Sequence, residues 1–423
     1  MHVVVIGAGV VGVTTAYALQ QRGHRVTVLE RLEAAGLETS FGNAGQRSYG
    51  VVYPWADADM VRYALPWLIK QDGPLKMHWP PSLAAMRFLL ATLKYAYAPG
   101  AYGLNKRAML RLGTHSKACF ERLDKELGLK FDGDTAGLIQ LASTPAELRA
   151  YQQLSGLLKE MGVAHSLLTP AQVREYEPGM TGGGPLYGGI RFDTDATGDC
   201  HLFTRALTRA CEQAGVVFRY HCEVTGLDGN SQRLDAVRFT NAHGQTERLE
   251  ADAFVLSAGC WSAELASALG LRLPIYPVKG YSLTVPLQDP ELAPRSTVHD
   301  DYYKVVSTRL GNRLRATGFV ELADFRRDIP KARLATIAKS VAARFPGCAD
   351  LTQASAWTGF RPMTPDGPAI LGRGLQENLY LNTGHGTFGW TLSAGSADLI
   401  AQVIDGEEPA LPLDAFRPSR FQE

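Results

Sequence analysis

The chain carries almost no net charge, with 43 Lys and Arg residues against 42 Asp and Glu residues and a formal charge of +1 at pH 7. This balance argues against nucleic acid or another highly charged polymer as a partner, because such partners select a large excess of one sign. The chain also lacks any run of about 20 apolar residues, the length that a membrane-spanning helix needs. Its first predicted strand begins at residue 2, which leaves no room for a signal peptide. We therefore expect a cytoplasmic protein without a spanning helix.

Cysteines are few and follow no pattern. None of the six forms a CxxC pair or has the spacing of paired metal ligands; they stand at positions 119, 200, 211, 222, 260 and 348. A secreted disulfide scaffold and a zinc finger are therefore excluded. The sequence predicts reduced, buried thiols and no metal centre.

The first 30 residues carry a strong nucleotide-binding signal. An apolar run at residues 3–6 leads into Gly7, Gly9 and Gly12 in the spacing GxGxxG, followed by a helical run and a second strand that ends at Glu30. In such a unit the first glycine makes the tight turn, the second lets a pyrophosphate approach the backbone, and the third lets the helix pack against the strand. The helix start favours phosphate, and the terminal acid can accept hydrogen bonds from a ribose. The pattern predicts a dinucleotide site.

Two later glycine turns favour FAD over a nicotinamide cofactor. Residues 254–259 read as a buried strand that ends in small residues, and residues 380–390 read as a strand, a glycine-rich loop and a helix start. A helix start in this place could meet a polarised edge of a flavin. Cofactor contacts at three separated places suit an extended FAD, whereas a nicotinamide cofactor needs only the first unit. The alternative for the last turn is a mobile surface loop that binds nothing.

Five further motifs are more specific than the dinucleotide pattern. They are ETS at 38–40 with NAGQ at 43–46, TGDC at 197–200, YPVKGYSLT at 276–284, WTGFRPMTPDG at 357–367 and NTGHG at 382–386. With these motifs the chain resembles the small, FAD-binding subunit of bacterial D-amino acid dehydrogenase, within the D-amino acid oxidase and glycine oxidase superfamily. The resemblance covers nearly the whole chain.

The resemblance implies a set of FAD contacts along the first motif and at the later turns. These residues are Gly7, Gly9, Gly12, Glu30, Arg31, Ser40, Gln46, Val224, Gly259, Gly384, His385, Gly386 and Thr387. We interpret His385 as a flavin contact rather than a catalytic base. No cysteine stands at Gly359, the position at which some sarcosine-oxidising relatives attach flavin, so we expect FAD bound non-covalently.

Arg361 and Tyr303 are the candidate catalytic residues that the resemblance implies. Arg361 matches the arginine that holds the substrate carboxylate, and a guanidinium binds a carboxylate through two parallel hydrogen bonds. Tyr303 matches an active-site tyrosine on a substrate-domain strand, predicted at 303–307, whose hydroxyl would complete the carboxylate site. The alternatives are a salt bridge from Arg361 to Asp366 and core packing for Tyr303.

The length and the order of elements predict two domains, because 423 residues exceed one compact core. We expect an α/β plus α+β fold of the D-amino acid oxidase type. A discontinuous Rossmann-like FAD-binding domain would comprise residues 1–50, 185–265 and 355–423. A substrate domain with a mixed or antiparallel sheet would comprise residues 51–184 and 266–354. Within it, residues 166–178 read as one small helix.

The resemblance implies oxidative deamination of a D-amino acid to a 2-oxo acid and ammonia. Hydride would pass from Cα to flavin N5, and the electrons would go on to a respiratory acceptor, a quinone or an electron-transfer partner. Three alternatives stay open: a dehydrogenase of D-hydroxyproline or another secondary amine or imino acid, an oxidase that uses O₂, and a non-catalytic FAD-binding subunit of a larger dehydrogenase. Arg361 and Tyr303 argue against the last, because a scaffold has no use for a carboxylate clamp.

Residues 49–102 are rich in aromatic residues and proline, which sets this segment apart from the rest of the chain. The residues that suit a bilayer interface are Trp67, Trp79, Phe88, Leu89 and Tyr95 with Lys70, Lys76, Arg87 and Lys94. A peripheral contact with the inner face of the cell membrane is one interpretation of this segment. The equal alternative is a substrate-domain core or a contact with another subunit.

Overall fold

The structure is a computed structural model and describes residues 1–69 and 73–422. The α-helices of these residues are α1 (Val10–Gln21), α2 (Ala58–Ile69), α3 (Leu83–Tyr97), α4 (Ala101–Leu127), α5 (Pro145–Glu160), α6 (Pro170–Tyr176), α7 (Cys200–Gln213), α8 (Ser262–Ser267), α9 (Lys331–Arg344) and α10 (Gly389–Asp405).

The strands are β1 (His2–Ile6), β2 (Arg25–Leu29), β3 (Gln46–Arg47), β4 (Leu75–Met77), β5 (Leu138–Ala142), β6 (Ser166–Leu168), β7 (Gly188–Phe192), β8 (Ala196–Thr197), β9 (Val217–Arg219), β10 (Glu223–Gly229), β11 (Leu234–Thr240), β12 (Thr246–Glu250), β13 (Ala253–Leu256), β14 (Tyr276–Pro286), β15 (Thr297–Asp300), β16 (Val305–Leu310), β17 (Arg313–Leu322), β18 (Ser355–Met363), β19 (Ile370–Arg373) and β20 (Leu379–Thr383).

A six-stranded sheet in the order β19-β20-β13-β1-β2-β9 forms the first layer, with β19 antiparallel to its neighbour and the others parallel. Residues 3–6 of its central strand β1 are apolar and buried, as expected for a strand whose two faces are both covered. Val3 and Val5 face a cluster built from α1, α4, α7 and α10, whereas Val4 and Ile6 face a cluster that includes residues of the β10-β11-β12 sheet. The chain therefore turns at the carboxyl ends of buried parallel strands, where doubly wound folds bind nucleotides.

A nine-stranded mixed sheet forms the second layer, in the order β18-β14-β17-β16-β15-β5-β7-β6, with β4 paired to β17. Strands β14, β17 and β18 are long, and they run antiparallel to their neighbours in the order given. Helix α9 packs against one face of this sheet through Ile337 and Val341. Arg361 lies on the edge strand β18, in register with Val278 of β14.

The predicted fold class, a Rossmann-like sheet with a second, mixed sheet, is confirmed. The predicted helix at 166–178 is wrong in part, because residues 166–168 pair with β7 as β6 before a capping box at Thr169 starts α6. The two-domain division stays a prediction. If domains are drawn by sheet membership, β7 and β18 move to the second domain, because they pair with β5 and β14.

All six cysteines are buried and unpaired, as the sequence predicts. Among the described residues, no helix combines the length and the apolar character that crossing a bilayer requires.

Candidate active site

The turn between β1 and α1 is tight because two glycines permit close packing. Gly7 has φ +102°, and its N–H donates to the Leu29 carbonyl at 2.8 Å. A Cβ added to Gly12 would lie 1.9 Å from the Gly7 carbonyl oxygen. A Cβ on Gly9 would meet only the Ser40 hydroxyl, at 3.7 Å. The space above Gly9 is therefore open, which supports the approach of a pyrophosphate to its backbone.

Glu30 holds its carboxylate at the tip of β2. Its two oxygens accept hydrogen bonds from the backbone N–H groups of Ala8 at 2.8 Å and Leu32 at 3.0 Å. Burial raises the pKa of Glu30, and these two bonds oppose that shift. Each oxygen keeps a free lone pair for a ribose hydroxyl. Cζ of the neighbouring Arg31 lies over the Trp261 ring, 3.7 Å from its centroid.

Ser40 and Gln46, both from the segment that follows β2, add to this end of the site. The Ser40 hydroxyl accepts a hydrogen bond from the Val10 N–H at 3.0 Å and so caps the start of α1. Gln46 stands on β3, and its side-chain oxygen lies 2.6 Å from Nε2 of His299 on β15. Gln46 thereby connects the first motif to the second sheet.

The glycine loop before α10 is part of the site rather than a free surface loop. Gly384 and Gly386 adopt positive φ angles of +71° and +58°. Between them, His385 is 2% exposed, and its Nε2 lies 3.1 Å from the Ser396 hydroxyl. Burial lowers the pKa of His385 to about 3, so this imidazole is neutral near pH 7 and is a weak base.

One cavity of about 970 Å³ collects nearly all the predicted site residues. Those in its wall are Gly7, Gly9, Glu30, Arg31, Ser40, Gln46, Val224, Gly259, Arg361, Gly384, His385, Gly386 and Thr387. Gly12 lies outside the wall, since it packs α1 against the turn. Tyr303 also lies outside the wall. The cavity runs between the two sheets, because its wall takes residues from both.

Arg361 is a half-buried cation that lacks an acidic partner among the described residues. Its guanidinium donates to the backbone carbonyl of Phe319 at 3.0 Å and is 3.5 Å from that of Lys279. Within residues 1–69 and 73–422, no carboxylate forms a salt bridge with it. The alternative partner, Asp366, is instead held by Arg420 at 2.7 Å. Burial lowers the pKa of Arg361 to about 10. A half-buried guanidinium that lines a cavity without an acidic partner is suited to binding an anionic ligand.

The geometry does not support the role predicted for Tyr303. Residues 301–304 form the turn between β15 and β16, so the predicted strand at 303–307 begins only at Val305. The Tyr303 ring packs against the cluster under α9 and lies 6.0 Å from the Arg344 guanidinium. Asp301 and Lys304 of the same turn line the cavity, whereas Tyr303 does not.

Sequence reasoning missed several residues in the cavity wall. Tyr53, Gln140, His299 and Trp357 all line it. Tyr53 lies in the aromatic segment and Trp357 opens the WTGFRP motif, so both had a signal that could have drawn attention to them. Gln140 and His299 had none, because each stands alone on a short strand. Burial lowers the pKa of His299 to about 4, so its imidazole is neutral near pH 7.

A separate cluster joins α4 to α10 outside the cavity. Nε2 of His115 lies 2.9 Å from the Asp398 carboxylate and 3.7 Å from Sγ of Cys119. Arg122 donates to the same sulfur at 3.2 Å. Its hydrogen bond to Asp398 raises the pKa of His115 to about 9. With two cations and an acid together, the cluster is an ion-pair network between the helices.

The chain matches the model of a family described as FAD dependent oxidoreductase (DAO) over residues 2–403. A relative named D-amino acid dehydrogenase, from Neisseria meningitidis serogroup C / serotype 2a, is 41% identical over the full length of both chains. Another of that name, from Cereibacter sphaeroides, is 45% identical over 412 residues, which cover 97% of this chain and 93% of the relative.

Solved structures show the same fold at lower sequence identity. Glycine oxidase from Geobacillus kaustophilus aligns with a TM-score of 0.76 at 23% identity and covers 99% of this chain and 98% of its own. L-proline dehydrogenase from P. horikoshii aligns with a TM-score of 0.74 at 18% identity, covering 100% and 97%. At these identities the likeness concerns the fold.

The cavity agrees with this family match. Its volume suits an extended dinucleotide, the space over Gly9 is open, and a carboxylate stands at the tip of β2. The predictions of an enzyme and of FAD as its cofactor are confirmed by the family. This chain belongs to the FAD dependent oxidoreductase family.

Proposed function

We propose that this protein oxidises a D-amino acid to the 2-oxo acid and ammonia and passes the electrons to a respiratory acceptor. The single observation that carries the proposal is Arg361, a half-buried guanidinium in the cavity wall without a carboxylate partner among the described residues. A charge in this state is costly unless a ligand neutralises it. The full-length relatives named D-amino acid dehydrogenase support an amino acid as that ligand.

We propose that the cofactor lies along the cavity with its adenosine end at Glu30 and Val224 and its ring end at Gln46. Glu30 stands at the tip of the first sheet, whereas Gln46 reaches the second sheet through His299. Arg361 stands on that second sheet. This direction therefore brings the redox ring to the guanidinium. The thirteen cofactor contacts predicted from the sequence stay part of this proposal, with Gly12 acting by packing.

Different residues of the site bind the substrate, orient it and exclude water. The Arg361 fork holds the substrate carboxylate through two parallel bonds and so fixes the direction of the Cα–H bond. The neutral imidazoles of His299 and His385 do not repel the substrate amine. When bound, FAD supplies a two-electron acceptor for the hydrogen on Cα. Trp357 and Phe388 in the wall help to exclude water.

An anaerobic flavin-bleaching screen tests the proposal. The holoprotein is mixed without oxygen with D-amino acids, their L-enantiomers, D-hydroxyproline and N-methyl amino acids, and the yellow flavin absorbance is followed. We expect rapid bleaching by D-amino acids and at least about a hundredfold slower bleaching by the L-enantiomers, a difference of about 3 kcal/mol in the barrier. Faster bleaching by secondary amines would transfer the activity to that class. No bleaching by any of them would leave a non-catalytic subunit, and peroxide release in air would identify an oxidase.

We also propose that helix α3 rests on a membrane. Its residues Leu83, Met86, Leu90, Leu93 and Tyr97 follow helical spacing and are all exposed, with Leu83 at 71% and Leu90 at 64%. A continuous apolar stripe of this kind on a helix is typical of an interfacial contact.

The basic side chains beside the stripe suit an anionic surface. Arg87 and Lys94 are exposed on the same helix. Two of the aromatic residues that the sequence predicts at the membrane interface do not lie on this stripe. Phe88 is buried between Trp55 and Tyr276, and Trp67 lines the cavity.

The remaining residues of that prediction also take varied places. The Tyr95 hydroxyl lies 3.5 Å from the Arg420 carbonyl oxygen, and Leu89 packs against the cluster under α3. Trp79 is exposed, as an interface requires. Lys70 lies outside the described residues.

Vesicle pelleting at low salt tests the membrane contact. We expect binding to phosphatidylserine-rich vesicles and weaker binding to phosphatidylcholine. Leu90→Glu should lower the binding about tenfold or more, because burying one leucine contributes about 1.5–3 kcal/mol. The control is Leu375→Glu, at a residue that is 48% exposed outside α3. Equal binding of wild type and Leu90→Glu would refute the assignment to α3.

A further inference from the structure

Four polar side chains form a chain of hydrogen bonds along the cavity wall. The Gln140 amide nitrogen lies 3.4 Å from the Tyr53 hydroxyl and 3.5 Å from Nδ1 of His299. Nε2 of His299 lies 2.6 Å from the side-chain oxygen of Gln46. All four residues line the cavity. They come from separate parts of the sequence, so only the fold joins them.

The chain of bonds has one favoured direction. If the Gln140 amide donates to both neighbours, Nδ1 of His299 is an acceptor and Nε2 carries the hydrogen that Gln46 accepts. In this arrangement the Gln140 side-chain oxygen is buried without a partner. Turning the amide over would instead bury two N–H donors without acceptors at that place. Leaving two donors unsatisfied costs more than leaving one oxygen unsatisfied, so the first direction is favoured.

This direction leaves the amide group of Gln46 free to donate into the cavity. Its oxygen is occupied by His299. No acceptor for its Nε2 hydrogens occurs in the described part of the chain. Because Gln46 lines the cavity, the N–H groups of its amide are available to a ligand bound there.

The sheet places this group close to the proposed carboxylate site. The Arg361 guanidinium reaches the Phe319 carbonyl of β17, and His299 stands on β15, two strands farther along the sheet. Two strand spacings amount to about 10 Å. A distance of this size leaves room for an amino acid bound at Arg361 and for one edge of the flavin ring beside Gln46.

We propose that His299 is a positioning residue that fixes the Gln46 amide as a hydrogen-bond donor to the flavin ring and thereby raises the reduction potential of the flavin. This inference rests on the proposed placement of the ring end at Gln46. A fixed hydrogen-bond donor beside the ring stabilises the reduced form more than the oxidised form, because reduction adds negative charge to the ring atoms that accept the hydrogen bond.

The test compares the two-electron midpoint potential of holoenzyme variants, measured by slow reduction against a reference dye. His299→Leu removes the donor to Gln46 while keeping an apolar side chain in the space. We expect its reduction equilibrium to shift about tenfold toward the oxidised form, which is about 30 mV for two electrons. Its FAD dissociation constant, measured by flavin fluorescence, should stay within about threefold of wild type, because the adenosine contacts are unchanged.

A conservative variant and a control separate positioning from general damage. His299→Gln can donate to Gln46 from a similar position, and we expect it to recover at least half of the shift. Gln140→Leu releases the tautomer of His299 and should give a smaller shift in the same direction. Tyr302→Phe, at an exposed residue of the neighbouring turn, should change nothing.

An unchanged potential in His299→Leu would overturn the inference, and so would a shift that His299→Gln fails to reduce. If His299→Leu does not fold, Gln140→Leu decides, and wild-type potential in that variant overturns the inference. The potential is measured without any amino acid. Failure here is therefore distinct from failure of the bleaching screen, which tests the substrate.

Discussion

Replacing Arg361 by leucine should separate substrate binding from stability. In the complex, the guanidinium would form a buried, hydrogen-bonded charge pair with the substrate carboxylate. Removing one partner of such a pair costs about 2–5 kcal/mol. At about 1.4 kcal/mol per factor of ten, kcat/KM should fall by a factor between about 30 and about 4,000.

In the free enzyme, Arg361→Leu removes the free-energy cost of desolvating the guanidinium. Arg361 is half-buried, its hydrogen bonds among the described residues go to two backbone carbonyls, and its lowered pKa reflects the penalty of desolvating an unpaired cation. Leucine removes that penalty and leaves the Phe319 and Lys279 carbonyls without this donor. We expect the two effects to offset within about 1–2 kcal/mol, so that the melting temperature stays near that of wild type.

The assay combines steady-state kinetics with an artificial electron acceptor and thermal unfolding of the same preparations. Arg361→Leu should bind FAD normally, judged by its visible spectrum, and show a large loss in kcat/KM. A carboxylate inhibitor should raise the melting temperature of wild type and leave that of the variant unchanged. Arg149→Leu, at an exposed arginine of α5, serves as the matched control. The reasoning is refuted if Arg361→Leu retains wild-type kcat/KM on the substrate found in the bleaching screen.

Two further predictions concern packing and pH. Gly12→Ala would put a Cβ 1.9 Å from the Gly7 carbonyl oxygen. We therefore expect the unfolding free energy, measured by chemical denaturation, to fall by about 3 kcal/mol or more. FAD binding, measured by flavin fluorescence, should be weakened as well. Gly156→Ala in α5 has open space around it and should be neutral or slightly stabilising. The pKa of His115 is raised to about 9, so its ion pair stabilises the fold below the unfolded value near 6.5, and this contribution is lost as pH rises through 9. The stability gap between wild type and His115→Gln should therefore shrink by about 1–2 kcal/mol from pH 6 to pH 10, after allowance for solvent screening, and a constant gap would contradict this assignment.

The sequence alone determined the features that depend on neighbours along the chain. The turn at Gly7 and the packing of Gly12 involve residues within six positions of each other, so the spacing was enough to predict them. The acid at the end of β2 follows from the length of one strand–helix–strand unit. The glycine loop before α10 is local for the same reason, and its motif is one of the five that together indicated the family.

The tertiary structure decided which side chains meet across the chain. His299 and Gln46 are 253 positions apart, and their side chains meet only because the fold brings β15 within reach of the Gln46 side chain. Asp366 is five residues from Arg361 in the sequence, yet it pairs with Arg420 from the C-terminus, and this leaves the Arg361 guanidinium without a carboxylate partner in the described structure.

Which face of a helix is buried was likewise decided by the element that packs against it. Helix α3 is apolar on both sides, so its period does not tell which side is covered; the second sheet covers Phe88 and leaves Leu90 exposed. Tyr303 lies outside the cavity wall, in a turn where the sequence predicts a strand. Local patterns fix local geometry, whereas the pairing of sheets and helices sets the direction in which each side chain points.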